Sequence, residues 1–348
     1  MTAVDRHYMD EAIALGWSAR HSVSPRPWVG AVVVPTRGPG SHTGGYGGAT
    51  EGRGGRHAEV VALQAAGDDS RGATLYCTLE PCSHHGATAP CADAVIEAGI
   101  ARVVVALEDP DPKVAGAGIA RLREHGIIVD VGCGADLVAQ QLGPYLHHRR
   151  TGRPWVVLKW ASTLDGAVAA ADGTSQWITS EAARLDAHGL RADSDAIVVG
   201  AGTLRADDPA LTVRLPGWEG VGDDETGDLR QPLRVVLGKA PAGSRALPAV
   251  EHQGSLEDLL DDLGNRGVLQ VLVEGGPTVA GAFHRAGLVD RYVAYVAPAL
   301  SGGDDGLASI AGPGASGVGD LWRGEVVAIR QIGPDIRIDL APRGGTGL

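Results

Sequence analysis

The sequence predicts two consecutive α/β domains, and three observations predict them. At 348 residues the chain is longer than one hydrophobic core usually serves. Short β-branched apolar runs alternate with helix-period segments in both halves. Between the halves lies a basic stretch closed by proline, "HHRRTGRP". The expected layout is a first domain over 1–147, a linker over 148–153, a second domain over 154–343 and a disordered tail over 344–348.

In the first half a helix is expected from Asp5 to about Arg20, then a buried strand over "VGAVVV" (29–34). A glycine-rich loop, 38–55, leads to a helix from His57 to about Ala66. The strand "ATLYCTL", a helix near Ala92 to Ala98 and the strand "RVVVAL" follow. "GIARLREHG" reads as helical, "IIVDV" as extended, and "ADLVAQQLGPYLHHRRTGRP" as one helix running into the linker. In the second half "WVVLKWA", "AIVVG", "LRVVLG", "VLQVLVEGG" and "RYVAYVAP" are strands with helices between them. The polar, acidic segment Gly217 to Gln231 is expected to be a mobile surface excursion.

Composition narrows the partners. With seven Trp, six Tyr and one Phe, the chain offers few stacking platforms. Its net charge of −12 argues against a broad nucleic-acid footprint, which needs Lys and Arg in excess. A small-molecule substrate is expected, with any phosphate met by a few local arginines. No run of 18 apolar residues occurs, and acids interrupt the opening segment, so neither a membrane span nor a signal sequence is expected and the location reads as cytoplasmic. Four cysteines, Cys77, Cys82, Cys91 and Cys133, are too few and too clustered for a disulfide framework. Cys77 and Cys133 read as structural.

A zinc deaminase needs three protein ligands, an open fourth position for water and a carboxylate that is not itself a ligand. His57 and Glu59, in "RHAEVVAL", supply a ligand and a carboxylate. Alone, His-x-Glu at a helix start is more often a capping arrangement. Downstream, "EPCSHHGATAPC" adds Cys82 after a proline and Cys91 at the head of the next helix, where thiolates are favoured. The four residues together favour zinc chemistry over capping.

The segments "HAEVVAL", "TLEPCSHHGATAPCADAVIEAGI", "LKWASTLDG", "GTSQWITS", "RADSDAIVVGAGTLRADDPALTVR" and "VEGGPTVAGAF" resemble the bifunctional deaminase–reductases of riboflavin biosynthesis. The resemblance covers nearly the whole chain. It implies a cytidine-deaminase-like α/β/α sandwich followed by a dihydrofolate-reductase-like α/β domain. The first would hold Zn2+ on His57, Cys82 and Cys91 and remove the 2-amino group of a diaminopyrimidine ribosylamino phosphate, with Glu59 as catalytic proton shuttle and His84 touching substrate. The second would use NADPH to reduce the ribosyl chain, and self-association into a homo-oligomer is implied as well.

Carried over by motif, Ala161, Trp177, Thr203 and Asp207 fall at cofactor positions. Ser175, Arg191, Leu211, Arg214 and Glu274 fall at substrate positions, with Lys159 and Asp165 beside them. Arg191 and Arg214 are expected to grip the phosphate, and Lys159 or Glu274 to assist proton delivery. The glycines of "VEGGP" do not make a Rossmann fingerprint, but they allow close approach of backbone to ligand and open a helix at Thr278. No group that would read the cofactor's 2′-phosphate is apparent from the sequence.

Some positions depart from the family pattern. Arg26 and Trp28 occupy the polar positions before "VG", Gly47 stands in place of a loop histidine, and Ala87 replaces a cation. Arg26 is expected to bind the phosphate in place of that cation, which an alanine side chain cannot do. Two other readings stand beside the leading one. A paralogue could keep the reductase while its deaminase half is inactive or acts on another substrate. A zinc-stabilised, non-catalytic nucleotide-binding protein would not require Glu59.

Overall fold

A computed structural model of the chain describes residues 1–36, 44–84, 89–219, 221 and 229–344. Ala87 and His85, most of the excursion and the end of the tail lie outside these residues. The chain divides between Gly152 and Arg153 into two compact units.

The first unit contains α1 (Ala3–Val23), β1 (Gly30–Val34), β2 (Tyr46–Ala49), α2 (Ala58–Ala66), β3 (Thr74–Leu79), α3 (Cys91–Glu97), β4 (Arg102–Leu107), α4 (Ala117–Glu124), β5 (Ile128–Val131), α5 (Ala135–Gln141) and α6 (Gly143–Thr151). Helix α1 starts in a reciprocal cap: the Asp5 amide donates to the Thr2 hydroxyl and the Asp5 carboxylate accepts from the Thr2 amide. The five strands lie in the order β2-β1-β3-β4-β5, with β3, β4 and β5 parallel. Helix α1 packs on β1 so closely that a Cβ at Gly30 would lie 1.8 Å from the Ala12 carbonyl oxygen. Helix α2 also packs on β1 and β2, and Gly48 meets it while Gly47 meets Leu15 of α1. Because neighbouring strand residues point to opposite faces, α1 and α2 cover the two sides of the sheet.

Two sequence expectations change here. The single helix read over 135–154 is two helices, because Pro144 has no amide proton for a continuing ladder and instead occupies the first turn of α6. The expected linker at 148–153 is helical through Thr151, and the chain turns at Gly152 with φ +76°.

The second unit contains β6 (Trp155–Thr163), β7 (Ala167–Ala169), α7 (Glu181–Ala192), β8 (Ala196–Gly200), α8 (Ala201–Asp207), β9 (Leu233–Leu237), β10 (Val250–His252), α9 (Leu256–Asn265), β11 (Gln270–Gly275), α10 (Pro277–Arg285), β12 (Arg291–Ala297), β13 (Leu307–Ala308), β14 (Gly324–Ile332) and β15 (Asp335–Pro342). Eight strands form one sheet in the order β10-β9-β8-β11-β6-β12-β15-β14. The first six run parallel, β15 is antiparallel to β12, and β14 is antiparallel to β15. Period-2 alternation splits the core: Val156 and Leu158 pack with Leu259, Leu263 and Phe283, whereas Val157 packs with Ala183, Leu190 and Leu204.

The C-terminal hairpin was not expected from the sequence. Its strand β15 turns its charges inward: Asp335, Arg337 and Asp339 are buried, while Ile336 is exposed. The inward charges are satisfied by one another and by α7 and its cap. Arg337 makes two bonds to Asp339 and one to Asp186, and Asp335 accepts from the Ser180 amide at 2.8 Å.

Candidate active sites

In the first unit the candidate site forms at two helix starts and in the loop after a strand. His57 precedes α2, Cys82 follows β3, and Cys91 is the first residue of α3. The Cys91 amide donates to the Cys82 sulfur at 3.4 Å and the Ala92 amide to the Cys82 carbonyl at 3.0 Å, which ties the two cysteine segments together. His57 Nδ1 lies 3.6 Å from the Cys82 sulfur and 3.2 Å from that of Cys91. All three ligand atoms lie within 4.8 Å of one another. Zinc bonds of about 2.0 Å to nitrogen and 2.3 Å to sulfur at a tetrahedral angle require an N···S separation of about 3.5 Å, so the donor set fits this metal.

Glu59, the second residue of α2, is 3% exposed, and burial pushes its carboxyl up from the ordinary carboxylate range. The His57 side chain makes no capping bond at the start of α2. Capping therefore does not account for the histidine.

The altered pocket positions read differently in three dimensions. Arg26 is neither solvated nor free to take a phosphate: its guanidinium donates to the carbonyls of Glu51, Gly52 and Gly55. It clamps the loop that delivers His57. Trp28 is buried at 8% exposure rather than presented to the pocket, and Gly47 faces α1. His84 is exposed two residues beyond Cys82.

The second unit holds a cavity of about 840 Å³ at the carboxyl ends of β6, β11, β8 and β9. Lys159, Ala161, Ser175, Thr203, Asp207 and Glu274 line it. Ser175 donates to Asp207 at 3.0 Å. At Gly276 the backbone has φ +69°, and a Cβ there would lie 2.9 Å from the Thr203 hydroxyl oxygen. Only glycine leaves that wall of the cavity bare for a ligand backbone to approach. A cavity of this size, with glycine backbone on one wall and charged and hydroxyl side chains among its lining, fits a dinucleotide.

Other expected residues sit apart from this lining. Arg191 does not reach into the cavity as a free cation. It makes a two-pronged ion pair with Glu274, at 2.6 and 2.7 Å, and donates to the Thr212 carbonyl at 3.0 Å. Burial raises the Glu274 carboxyl, but Arg191 and then Lys159 prevail and hold it at about 2. Burial pushes the Lys159 ammonium down, against the attraction of Glu274. Arg214 is exposed and bonded to the Thr212 hydroxyl at 3.1 Å, and its amide donates to His188. Leu211 is a core residue at 1% exposure with φ +54°. Trp177 is 67% exposed beneath the Arg184 guanidinium, 4.5 Å from its ring centre. Asp165 closes a turn by accepting from the amides of Ser301 and Gly302.

The sequence reading missed Gly238, Lys239 and Arg205, which also line the cavity. The available signal was "LGK" after the strand "LRVVLG", which sits beside β8 as "EGG" does.

Comparison with known proteins covers both units. The family model for the cytidine and deoxycytidylate deaminase zinc-binding region matches residues 2–107, and that for the RibD C-terminal domain matches 154–338. Riboflavin biosynthesis protein RibD of Mycobacterium tuberculosis is 44% identical over 347 residues, covering 96% of this chain and 98% of the relative. RibD of Escherichia coli is 40% identical, over 97% of this chain and 99% of the relative. The structure of Acinetobacter baumannii RibD superposes with a TM-score of 0.87 at 35% identity, over 97% of this chain and 98% of that one. That of the Thermotoga maritima diaminohydroxyphosphoribosylaminopyrimidine deaminase/5-amino-6-(5-phosphoribosylamino)uracil reductase gives 0.84 at 32% identity, over 97% and 98%.

Proposed function

The chain belongs to the RibD family of riboflavin-biosynthesis proteins, and from that premise we propose which of its residues carry the family's two reactions. It is a bifunctional zinc-dependent deaminase and NADPH-dependent reductase. The observation that carries the assignment is the His57, Cys82, Cys91 cluster with the buried Glu59 beside it. A zinc site that only stabilised the fold would not need a carboxylate buried next to it.

In the first unit His57, Cys82 and Cys91 would hold the metal. Bound there, zinc would supply a water acidic enough to be a nucleophile near neutral pH. Glu59 would take one proton from the attacking water as the oxygen adds to C2 of the pyrimidine. It returns the proton to a ring nitrogen, then moves the second to the departing amino group, so that water and amine become carbonyl and ammonia. Arg26 acts through the 51–55 loop as a positioning residue and does not touch the phosphate.

In the second unit the cavity orients the ring-opened ribosylamine against NADPH, which supplies a hydride to C1′. Ala161, Thr203, Asp207 and the Gly275–Gly276 backbone hold the cofactor. Lys159, Ser175 and Glu274 face the substrate. Arg191 fixes the Glu274 carboxylate, and Lys159 donates the proton that balances hydride arrival. The phosphate falls to Arg214, which has no carboxylate partner among the described residues.

The substrate is thus a phosphorylated ribosylaminopyrimidine. The four free cysteines suit a reducing cytoplasm, and no helix among the described residues is long and apolar enough to cross a membrane. Self-association is supported by strand β14, an outer strand of the sheet on which Val326, Val327 and Ile329 are exposed.

The test follows two signals on zinc-analysed protein supplied with the diaminopyrimidine ribosylamino phosphate. Ammonia release and NADPH oxidation are both expected. Chelation should stop ammonia release while leaving oxidation of NADPH by the supplied deaminated intermediate. Oxidation with that intermediate but no ammonia from the first substrate, with zinc bound, would favour the paralogue with a redirected deaminase.

A further inference from the structure

Three side chains hold the segment from Thr212 to Arg214, which follows α8 and belongs to no strand among the described residues. The Val213 amide donates to Gln231 Oε1 at 2.7 Å, and the Val213 carbonyl accepts from Gln231 Nε2 at 3.3 Å. On either side of it, the Thr212 carbonyl accepts from Arg191 at 3.0 Å and the Arg214 amide donates to His188 Nδ1 at 3.2 Å. Four consecutive main-chain groups are thus satisfied by side chains.

The pattern is that of an extended strand with a partner on each edge. In an extended chain one residue's N–H and C=O face the same edge, and those of its neighbours face the other. Gln231 takes the place of a paired residue on one edge, and Arg191 and His188, both on α7, take the other. Gln231 lies two residues before β9, so the amide is anchored to the large sheet, and its Nε2 also reaches the Val221 carbonyl at 3.2 Å. The Val213 side chain is buried with Ala192 and Trp218, so Thr212 and Arg214 turn the opposite way. There the Arg214 guanidinium donates to the Thr212 hydroxyl at 3.1 Å. The hydroxyl keeps its own proton to donate, and the guanidinium has further N–H groups.

We propose that Gln231 is a positioning residue for the reduction, setting the segment so that Thr212 and Arg214 present a hydroxyl and a guanidinium together to the substrate phosphate. The inference rests on the reading of Arg214 as the phosphate grip. A side-chain amide suits the task because it accepts and donates at once, matching both main-chain groups of Val213. The two donors it sets side by side form charge-assisted bonds to a phosphate only while their spacing is held. Its partners belong to the substrate side, so substrate recognition should change and cofactor binding should not.

The test follows NADPH oxidation by the full-length protein with the deaminated intermediate and with its phosphate-free counterpart, and measures the NADPH dissociation constant directly. Gln231→Met keeps the shape and removes both bonds. It is expected to raise KM for the phosphorylated substrate about tenfold, with kcat, the phosphate-free KM and NADPH binding within about twofold of wild type. Gln231→Asn keeps the amide on a shorter stem and should raise the same KM about threefold; it carries the test if the methionine variant does not fold. In an Arg214→Gln background, where the phosphate preference should already be lost, Gln231→Met should change KM by less than about twofold. An unchanged KM in the folded variants would overturn the proposal. So would equal losses with both substrates, or an effect that adds fully to that of Arg214→Gln, because Gln231 would then serve the fold alone. A phosphate preference that survives Arg214→Gln would instead refute the phosphate reading of Arg214 itself, and the proposal with it.

Discussion

The two sites are built on opposite plans. In the deaminase unit the candidate site gathers four side chains from two helix starts and the loop after a strand, with the three ligand atoms within 4.8 Å of one another. In the reductase unit the candidate site is a cavity of about 840 Å³ with six glycines among its lining residues, and one of its lining carboxylates, Glu274, is held in an ion pair by Arg191. The first site is a constellation that captures a metal. The second is a shaped space, held open by an internal ion pair. Losing one residue should therefore silence the first, whereas the second should fail through loosening or loss of stability.

The largest expected contrast comes from Cys91→Ala. Removal of one of three ligands should take bound zinc from about one per chain toward none and ammonia release to background, with NADPH oxidation from the deaminated intermediate retained. Metal analysis and the two assays check this; zinc retained at the wild-type level would break the contrast.

Next in size is Arg191→Ala. It leaves the buried Glu274 carboxylate with only Lys159, and breaking such a pair costs about 3–5 kcal/mol. Urea unfolding should show the loss in the reductase transition, and the additional change Glu274→Gln should recover part of it. A reductase transition as stable as wild type would mean that the pair is not holding the site.

A pH dependence sharpens the same point. His188 faces Arg191 on its own helix, Arg214 from the loop after α8 and Glu274 from β11; burial first, then the two arginines, push it down to about 4. The unfolded chain, with an ordinary histidine, binds the proton more readily between about pH 4 and 6.5. This contribution to stability is thus complete above about 6.5 and is lost as pH falls toward 4. Glu274, held at about 2, adds a further loss as pH drops below the ordinary carboxylate range. Thermal unfolding of the reductase transition from pH 7.5 to 5 should decline, and His188→Gln should flatten the decline. An identical slope in the variant would mean that His188 is not the group responsible.

The smallest expected effect separates two roles for Arg26. As a clamp on the carbonyls of Glu51, Gly52 and Gly55, its replacement by alanine should weaken zinc binding about tenfold through the loop that carries His57. Unchanged zinc affinity with a raised substrate KM would restore the phosphate role that the sequence suggested.

How much was legible in the sequence follows the same contrast. His57, Glu59, Cys82 and Cys91 could be singled out directly because metal chemistry limits the residue types, and the alternation of strands and helices was legible from apolar runs separated by helix-period segments. Arg26 was misread because its partners are backbone carbonyls, which no residue pattern marks. The Arg191 and Glu274 pair spans 83 positions, and both residues carried a substrate role by motif, so nothing in the sequence showed that they meet each other. The β15 strand inverts the usual rule, hiding Asp335, Arg337 and Asp339 and exposing Ile336, because the buried charges answer one another and Asp186. Patterning alone would have turned that strand the wrong way.

The central claim is that Glu59 performs the proton transfers of the first reaction and contributes nothing to the second. The direct measurement is Glu59→Gln, a change that keeps shape and hydrogen bonding, in zinc-loaded protein supplied in turn with the first substrate and with the deaminated intermediate. Ammonia release is predicted to fall by about 10² to 10⁴ at unchanged zinc content, with NADPH oxidation from the intermediate at the wild-type rate. Ammonia release within a few-fold of wild type would contradict the claim.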